Sequence, residues 1–188
     1  MNSSIEFDVD LIQRYDLAGP RYTSYPTAVQ FHNQFDETEY LQAIHDSNAS
    51  QRPLSLYVHL PFCGTVCYYC ACNKIITANR KRASPYLDDL HQEIELQAAR
   101  FTEKRPVSQL HFGGGTPTFI SDDEITSLMN KLRQHFYLLE EDKGDYSIEI
   151  DPREVTPAKI VLLRQLGFNR MSFGVQDFDP KVQVAVNR

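Results

Sequence analysis

From Leu54 to Gly174 the sequence alternates between strand-like and helix-like segments, and nothing else in it constrains the fold as strongly. Leu54-Ser55-Leu56-Tyr57-Val58-His59 alternates in hydrophobicity and reads as a strand. Ser84 with Pro85 opens a helix whose apolar stripe is Leu87, Leu90, Ile94, Ala98 and Phe101. Val107 to Phe112 is a second strand. Ser121-Asp122-Asp123-Glu124 is a capping box, and the helix behind it buries Ile125, Leu128, Met129, Leu132 and Phe136. Tyr146 to Ile150 is a third strand, Thr156-Pro157 opens a helix that Gly167 stops, and Arg170 to Gly174 is a fourth strand. The order β-α-β-α-β-α-β implies right-handed crossovers and a parallel sheet.

A doubly wound sheet and a barrel both satisfy that order. Neither a G-x-G-x-x-G nor a G-x-x-x-x-G-K motif is present. The polar candidates all follow a strand: a cysteine loop after the first, Gly113-Gly114-Gly115-Thr116 after the second, Glu149-Ile150-Asp151 at the third, Gln176-Asp177 after the fourth. In a TIM-like barrel the carboxyl ends of the strands carry the active site. The expected fold class is therefore α/β, a partial TIM-like barrel with parallel strands and an irregular N-terminal arm before it. Residues 1–50 are expected to form that arm, with one short helix near Thr38 to Asp46. Residues 51–188 are expected to form the first part of the barrel. A full barrel takes ~250 residues, so the chain is expected to be the N-terminal part of a longer protein.

Composition excludes several classes. Hydrophobic residues make up 41% of the 188 and charged residues 23%, close to globular averages, so disorder, collagen and coiled coil are poor readings. Nineteen basic against 25 acidic residues leave a net charge of −6, the wrong sign for a nucleic-acid partner. The one basic run, Asn79 to Arg82, reads as a solvated loop. No apolar run is long enough to span a bilayer, and Met1 to Asp10 lacks an apolar signal core, so no membrane span and a cytoplasmic location are expected.

All four cysteines lie between positions 63 and 72, as Cys63-x3-Cys67-x2-Cys70-x-Cys72. A disulfide framework would spread them along the chain, so metal binding or catalysis is the better reading. Structural zinc usually takes two separated thiolate pairs. Iron–sulfur loops are local cysteine runs, although the known ferredoxin spacings differ from this one. A cluster, a zinc ion and unligated buried thiols stay open on these grounds. Tyr68 and Tyr69 would shield the loop from solvent.

The C-x3-C-x2-C spacing after a first strand resembles the radical S-adenosylmethionine superfamily. Tyr57 to Cys63, the trailing Cys72, His111 to Thr118, and the N-terminal run Pro20 to Thr27 are similar to the family of oxygen-independent coproporphyrinogen III oxidases. That resemblance implies an oxidoreductase of porphyrin and haem biosynthesis with a 4Fe–4S cluster on Cys63, Cys67 and Cys70. S-adenosyl-L-methionine would chelate the open iron and yield a 5′-deoxyadenosyl radical. The substrate implied is coproporphyrinogen III, two of whose propionates become vinyl groups to give protoporphyrinogen IX, with a one-electron donor and an electron acceptor unidentified. Gly114, Gly115 and Thr116 match the loop for the methionyl amine, and three glycines would let the backbone approach a ligand and present N–H donors. Glu149 matches a ribose-binding carboxylate, Gln176 and Arg188 match further contacts, and Tyr57 and Tyr69 match positions near the cofactor. Cys72 is implied to be a nearby thiol and not a ligand; otherwise it reads as a small buried hydrophobe. Asp151 before Pro152 reads as a turn former. Arg21, between two prolines and beside Tyr22, is expected to pair a substrate propionate, or else to hold the arm to the barrel. The alternatives are a related haem chaperone and a zinc-stabilised domain without catalysis.

Overall fold

The structure, a computed structural model, describes residues 7–16, 28–101, 104–140 and 142–188. By internal contacts the chain divides into residues 1–41 and 42–188. In the first unit, helix α1 (Val9–Tyr15) is capped by Asp8, which accepts from the Leu11 N–H at 2.9 Å. It was not anticipated, because seven residues with no buried side chain carry little periodic signal. Helix α2 (Glu37–Ser50) begins in this unit behind Asp36. Asp36 accepts from the Thr38 and Glu39 N–H groups, and Glu39 reaches back to the Asp36 N–H. The helix passes the expected limits at both ends, and that reciprocal cap fixes its start.

In the second unit the strands are β1 (Leu54–Leu60), β2 (Phe62–Cys63), β3 (Ile75–Ile76), β4 (Pro106–Gly114), β5 (Tyr137–Leu138), β6 (Asp145–Ile150) and β7 (Arg170–Phe173). The helices are α3 (Ala83–Ala98), α4 (Asp122–His135), α5 (Pro157–Gln165) and α6 (Pro180–Ala185). The main sheet runs β1-β4-β6-β7, all parallel, with the short β5 added beside β4. Each new long strand joins on the same side of the last. With right-handed crossovers, that order keeps the helices on one face and curls the sheet as a barrel does, whereas a doubly wound sheet reverses. The fold is thus a parallel α/β half-barrel.

The two faces of the sheet differ in chemistry. Val58, Leu60, Leu110, Phe112, Ile148 and Ile150 point toward the helices and are buried with Leu87, Ile94, Ile125, Leu128, Met129, Leu132 and Leu163. The alternate residues Tyr57, His59, His111, Ser147 and Glu149 occupy the inner face.

Several local expectations hold. Ser121 and Glu124 form a complete capping box. Thr156 caps α5 with Pro157 in the first turn. Gly167, at φ +99°, donates to Arg164 while Phe168 donates to Leu163, which is a Schellman termination with Phe168 and Leu163 both buried. Others change. Arg80–Arg82 is a 3-10 turn capped by Asn79 and runs directly into α3, so the helix starts at Ala83 and Ser84 is not its cap. The basic run is not a solvated loop throughout. Arg80 donates to the Phe119 carbonyl, sits over the Phe119 ring, and lies 3.8 Å from Glu154. Gly113 and Gly114 belong to β4 itself and do not merely follow it.

Lys159 ties α5 to the turn that follows the glycines. It is 9% exposed, and its Nζ donates to the carbonyls of Thr118 at 3.1 Å and Ile120 at 2.7 Å. Lys159→Met keeps the volume but leaves both carbonyls without a donor. It should cost about 1–3 kcal/mol, read as a lower urea midpoint. An unchanged midpoint would show that the tie is dispensable.

Candidate functional site

The cysteine loop leaves β1 and is held by β4. Gly115 N–H donates to the Leu60 carbonyl at 2.9 Å and Thr116 N–H to the Phe62 carbonyl at 2.8 Å. Those bonds need the two backbones nearly in contact. A Cβ on Gly115 would stand 2.7 Å from backbone atoms of Pro61 and Phe62, so only glycine fits. The loop then turns back as β3 pairs with β2, with Ile75 N–H on the Pro61 carbonyl and Thr77 N–H on the Cys63 carbonyl.

The expectation that the glycine run presents N–H donors to a ligand is corrected by these bonds. The N–H groups of Gly115 and Thr116 are spent on the cysteine loop, and that of Gly114 on Glu149 Oε2 at 3.2 Å. The glycines serve close approach between two strand ends.

A cavity of about 360 Å³ opens at the carboxyl ends of the strands. Cys63, Cys67, Cys70 and Cys72 all line it. So do Gly114, Gly115 and Thr116 from one side, Glu149 from β6, and Tyr69, Gln176 and Arg188 from the loops. The structure thus brings together ten of the eleven candidate site residues that it describes and adds Asp151, Glu154, Ser172 and Gly174. Tyr57 is the described candidate outside the lining. It lies on the inner face with its hydroxyl 2.9 Å from His59 Nδ1 and its ring stacked on His111. Arg21 and the whole run Pro20 to Thr27 lie outside the described residues. A larger cavity, about 460 Å³, sits at the other end of the strands beside Tyr146 and Asn169, where it holds none of the cysteines.

All four cysteines are free thiols, three half-buried and Cys72 exposed. Cys72 is therefore not a small buried hydrophobe. Tyr69 lines the cavity, but Tyr68 is 71% exposed with its N–H on the Val186 carbonyl, so only one of the two tyrosines shields the loop. Burial pushes the Cys63 thiol up against the opposing hydrogen bond from Thr116 Oγ1. Burial also opposes ionisation of Cys70, but the hydrogen bonds from Cys72 and the Lys74 charge outweigh it and lower the thiol. Arg188 Nη1 lies 3.4 Å from Cys67 Sγ.

Arg188 is itself fixed, by the Gly174 carbonyl and by Asp151 Oδ2 at 3.0 Å. Asp151 is not a simple turn former. It is 5% exposed and also takes a fork from Arg153 Nε and Nη2. Burial alone would raise its carboxyl, but the Arg153 hydrogen bonds and the Arg188 charge hold it below the usual carboxylate range. Asp-Pro-Arg reads locally as a turn, and nothing local shows that residue 188 will complete the clamp. Gln176 adopts φ +72°, a left-handed conformation that residues with a Cβ take uncommonly.

Two outcomes check this geometry. Gly115→Ala should lose about 1–3 kcal/mol in urea unfolding, because the methyl meets rigid backbone. Gly64→Ala should lose less, since its Cβ would meet only the flexible end of Glu154; equal losses would refute the close-approach argument. For Asp151, a lowered carboxyl adds stability that is complete above the unfolded value of about 4 and is lost as pH falls through the folded value. Asp151→Asn should therefore be less stable than the parent at pH 7, by about 1–3 kcal/mol. The gap should close below about pH 4, and parallel stability–pH curves would contradict the clamp.

Comparison with known proteins gives one consistent answer. The Radical SAM superfamily description matches residues 57–188. An oxygen-independent coproporphyrinogen III oxidase of Pseudomonas aeruginosa is 58% identical over 188 residues, 100% of this chain and 41% of the relative. Its counterpart in Escherichia coli is 50% identical over 184 residues, 98% of this chain and 39% of the relative. One in Mannheimia haemolytica is 45% identical over 150 residues, 80% of this chain and 99% of that relative. The solved structure of coproporphyrinogen III oxidase HemN from Escherichia coli, described as a radical SAM enzyme, superposes with a TM-score of 0.82 at 48% identity. That match covers 98% of this chain and 40% of the other. The chain spans about two fifths of the length of the Pseudomonas and Escherichia relatives. The chain belongs to the radical SAM superfamily and, within it, to the family of the oxygen-independent coproporphyrinogen III oxidases.

Proposed function

We propose that this chain carries the cluster- and cofactor-binding part of an oxidoreductase that converts coproporphyrinogen III to protoporphyrinogen IX without oxygen. One observation carries the reading. Cys63, Cys67 and Cys70 line the same cavity as the glycine turn, Glu149, Gln176 and Arg188, all at the carboxyl ends of parallel strands.

The residues present fit a 4Fe–4S cluster. Three half-buried thiols face one cavity, and two of them already receive hydrogen bonds, from Thr116 and Arg188, of the kind that stabilise thiolate ligands. Cys63, Cys67 and Cys70 would hold it, leaving Cys72 as the exposed neighbour. A single zinc ion fits less well, because structural zinc usually takes two separated thiolate pairs whereas these cysteines form one short local run. When bound, the cluster and S-adenosyl-L-methionine supply one-electron cleavage of the sulfonium and hence the radical that oxidises the substrate.

The chain's own groups bind and orient. With their N–H donors spent, Gly114 and Gly115 have only carbonyl oxygens to give, which is what a methionyl ammonium requires, while the Thr116 carbonyl already accepts from Phe119 N–H. Glu149, half-exposed at the rim, suits a pair of ribose hydroxyls. Arg188 and Gln176 supply donors for a carboxylate from the far wall, and Tyr69 closes the cavity edge. Arg21 remains the candidate for a substrate propionate, by its planar fork. The related oxidases' names, and not those of haem chaperones, support the oxidase reading.

Anaerobic reconstitution with iron and sulfide tests this. The parent and Cys72→Ser should both bind iron with acid-labile sulfide and show a brown chromophore. Cys63→Ser, Cys67→Ser and Cys70→Ser should each lose most of it. A full chromophore in Cys67→Ser, or stoichiometric zinc without sulfide in the parent, would overturn the assignment. Cleavage of S-adenosyl-L-methionine by the loaded protein, and then decarboxylation of coproporphyrinogen III, test the remaining steps.

A further inference from the structure

The inner face of the sheet holds a histidine for which the proposed function has no use. His111 lies on β4, paired in register with Tyr57 of β1 and Ser147 of β6. We propose that His111 is a positioning residue that holds the Glu149 carboxylate and the Tyr57 ring in the poses from which they meet the bound cofactor. The proposal rests on the reading of Glu149 as a cofactor contact.

Glu149 needs such a partner. Its side chain is 44% exposed, and a free glutamate samples many rotamers that a binding site would have to freeze. Here each oxygen has its own anchor: Oε2 accepts from Gly114 N–H at 3.2 Å, and Oε1 lies 3.5 Å from His111 Nε2. His111 is in turn held by two neighbours. Its Nδ1 is 2.6 Å from the buried Ser147 hydroxyl. Its ring stacks on Tyr57 at 5.8 Å between centroids and 20° between planes. Gly113 gives it room, for a Cβ there would come within 2.9 Å of Nε2.

The tautomer follows from these neighbours. A carboxylate can only accept, so Nε2 carries the proton toward Glu149, and Nδ1 accepts from Ser147, whose hydroxyl can donate. A histidine kept for packing would turn its nitrogens to backbone in the core. This one uses both on side chains of the polar face, beside two residues matched to the cofactor. Such a ring lowers the ordering cost of binding without touching the ligand.

Four variants of the cluster-loaded protein test it through their equilibrium affinity for S-adenosyl-L-methionine, with cluster absorbance checked in each. His111→Phe keeps a ring against Tyr57 but loses both polar contacts, and it should weaken binding about tenfold, the scale of one charged hydrogen bond. His111→Gln places an amide nitrogen near the Nε2 position and should recover part of the loss. Glu149→Gln should weaken binding, and the double variant His111→Phe with Glu149→Gln should be no worse than the weaker single, because both act through one carboxylate. Full cluster content with a raised KM and unchanged kcat for cofactor cleavage would support the proposal. Parent-like affinity in His111→Phe while Glu149→Gln is weakened, or additive losses in the double variant, would overturn the positioning role alone. Parent-like affinity in Glu149→Gln would instead overturn the cofactor reading of Glu149, and this proposal with it.

Discussion

Two backbone hydrogen bonds, from Gly115 and Thr116 to the carbonyls of Leu60 and Phe62, join the end of β4 to the start of the cysteine loop. The rest of the site depends on them. They require a residue without a Cβ at position 115, and they consume the donors that a glycine-rich turn might otherwise give a ligand. In exchange they set the depth at which Cys63 leaves β2, and they place Thr116 Oγ1 within reach of its sulfur. The loop is then closed from outside by β3, so a segment of ten residues with four thiols has defined edges despite little regular structure.

Charge is distributed against the net balance of the chain. The molecule carries −6 overall, yet Arg188 of the cavity lining and Arg153 converge on buried Asp151. Asp151 offsets part of the cost of holding two guanidinium groups close together. It also leaves Arg188 with an Nη1 contact to Cys67 Sγ. A surface ion pair would contribute little, but a pair with both partners mostly shielded orients what it holds. On the opposite rim, Glu149 is carried by His111 and Gly114. The cavity lining thus holds one guanidinium, Arg188, and a rim carboxylate, Glu149, which suits a zwitterionic ligand with a sugar attached.

Elements whose signals are local were legible. The capping box at Ser121, the Thr156-Pro157 start and the Gly167 stop depend on neighbours within a few residues, and each forms as expected. The apolar stripes of α3 and α4 are likewise periodic in the chain itself. Elements stabilised mainly by distant contacts were not. The two-residue strands β2, β3 and β5 have no period to detect, and Arg80 looks like part of a solvated run until Phe119 and Glu154 are beside it.

By itself the sequence determined the alternation of strand and helix, the place of each polar group at a strand's carboxyl end, and the grouping of the cysteines. These follow from hydrophobic period, cap chemistry and spacing, all of which are properties of short segments. Tertiary structure alone decided what each polar group touches. It gave the glycine N–H groups to the cysteine loop, turned Asp151 from a turn residue into a buried anchor, exposed Cys72, and set His111 between Tyr57, Ser147 and Glu149. The physical reason is that parallel crossovers bring together residues tens of positions apart. A hydrogen bond between such residues depends on strand register and side-chain direction, and neither is encoded near either partner.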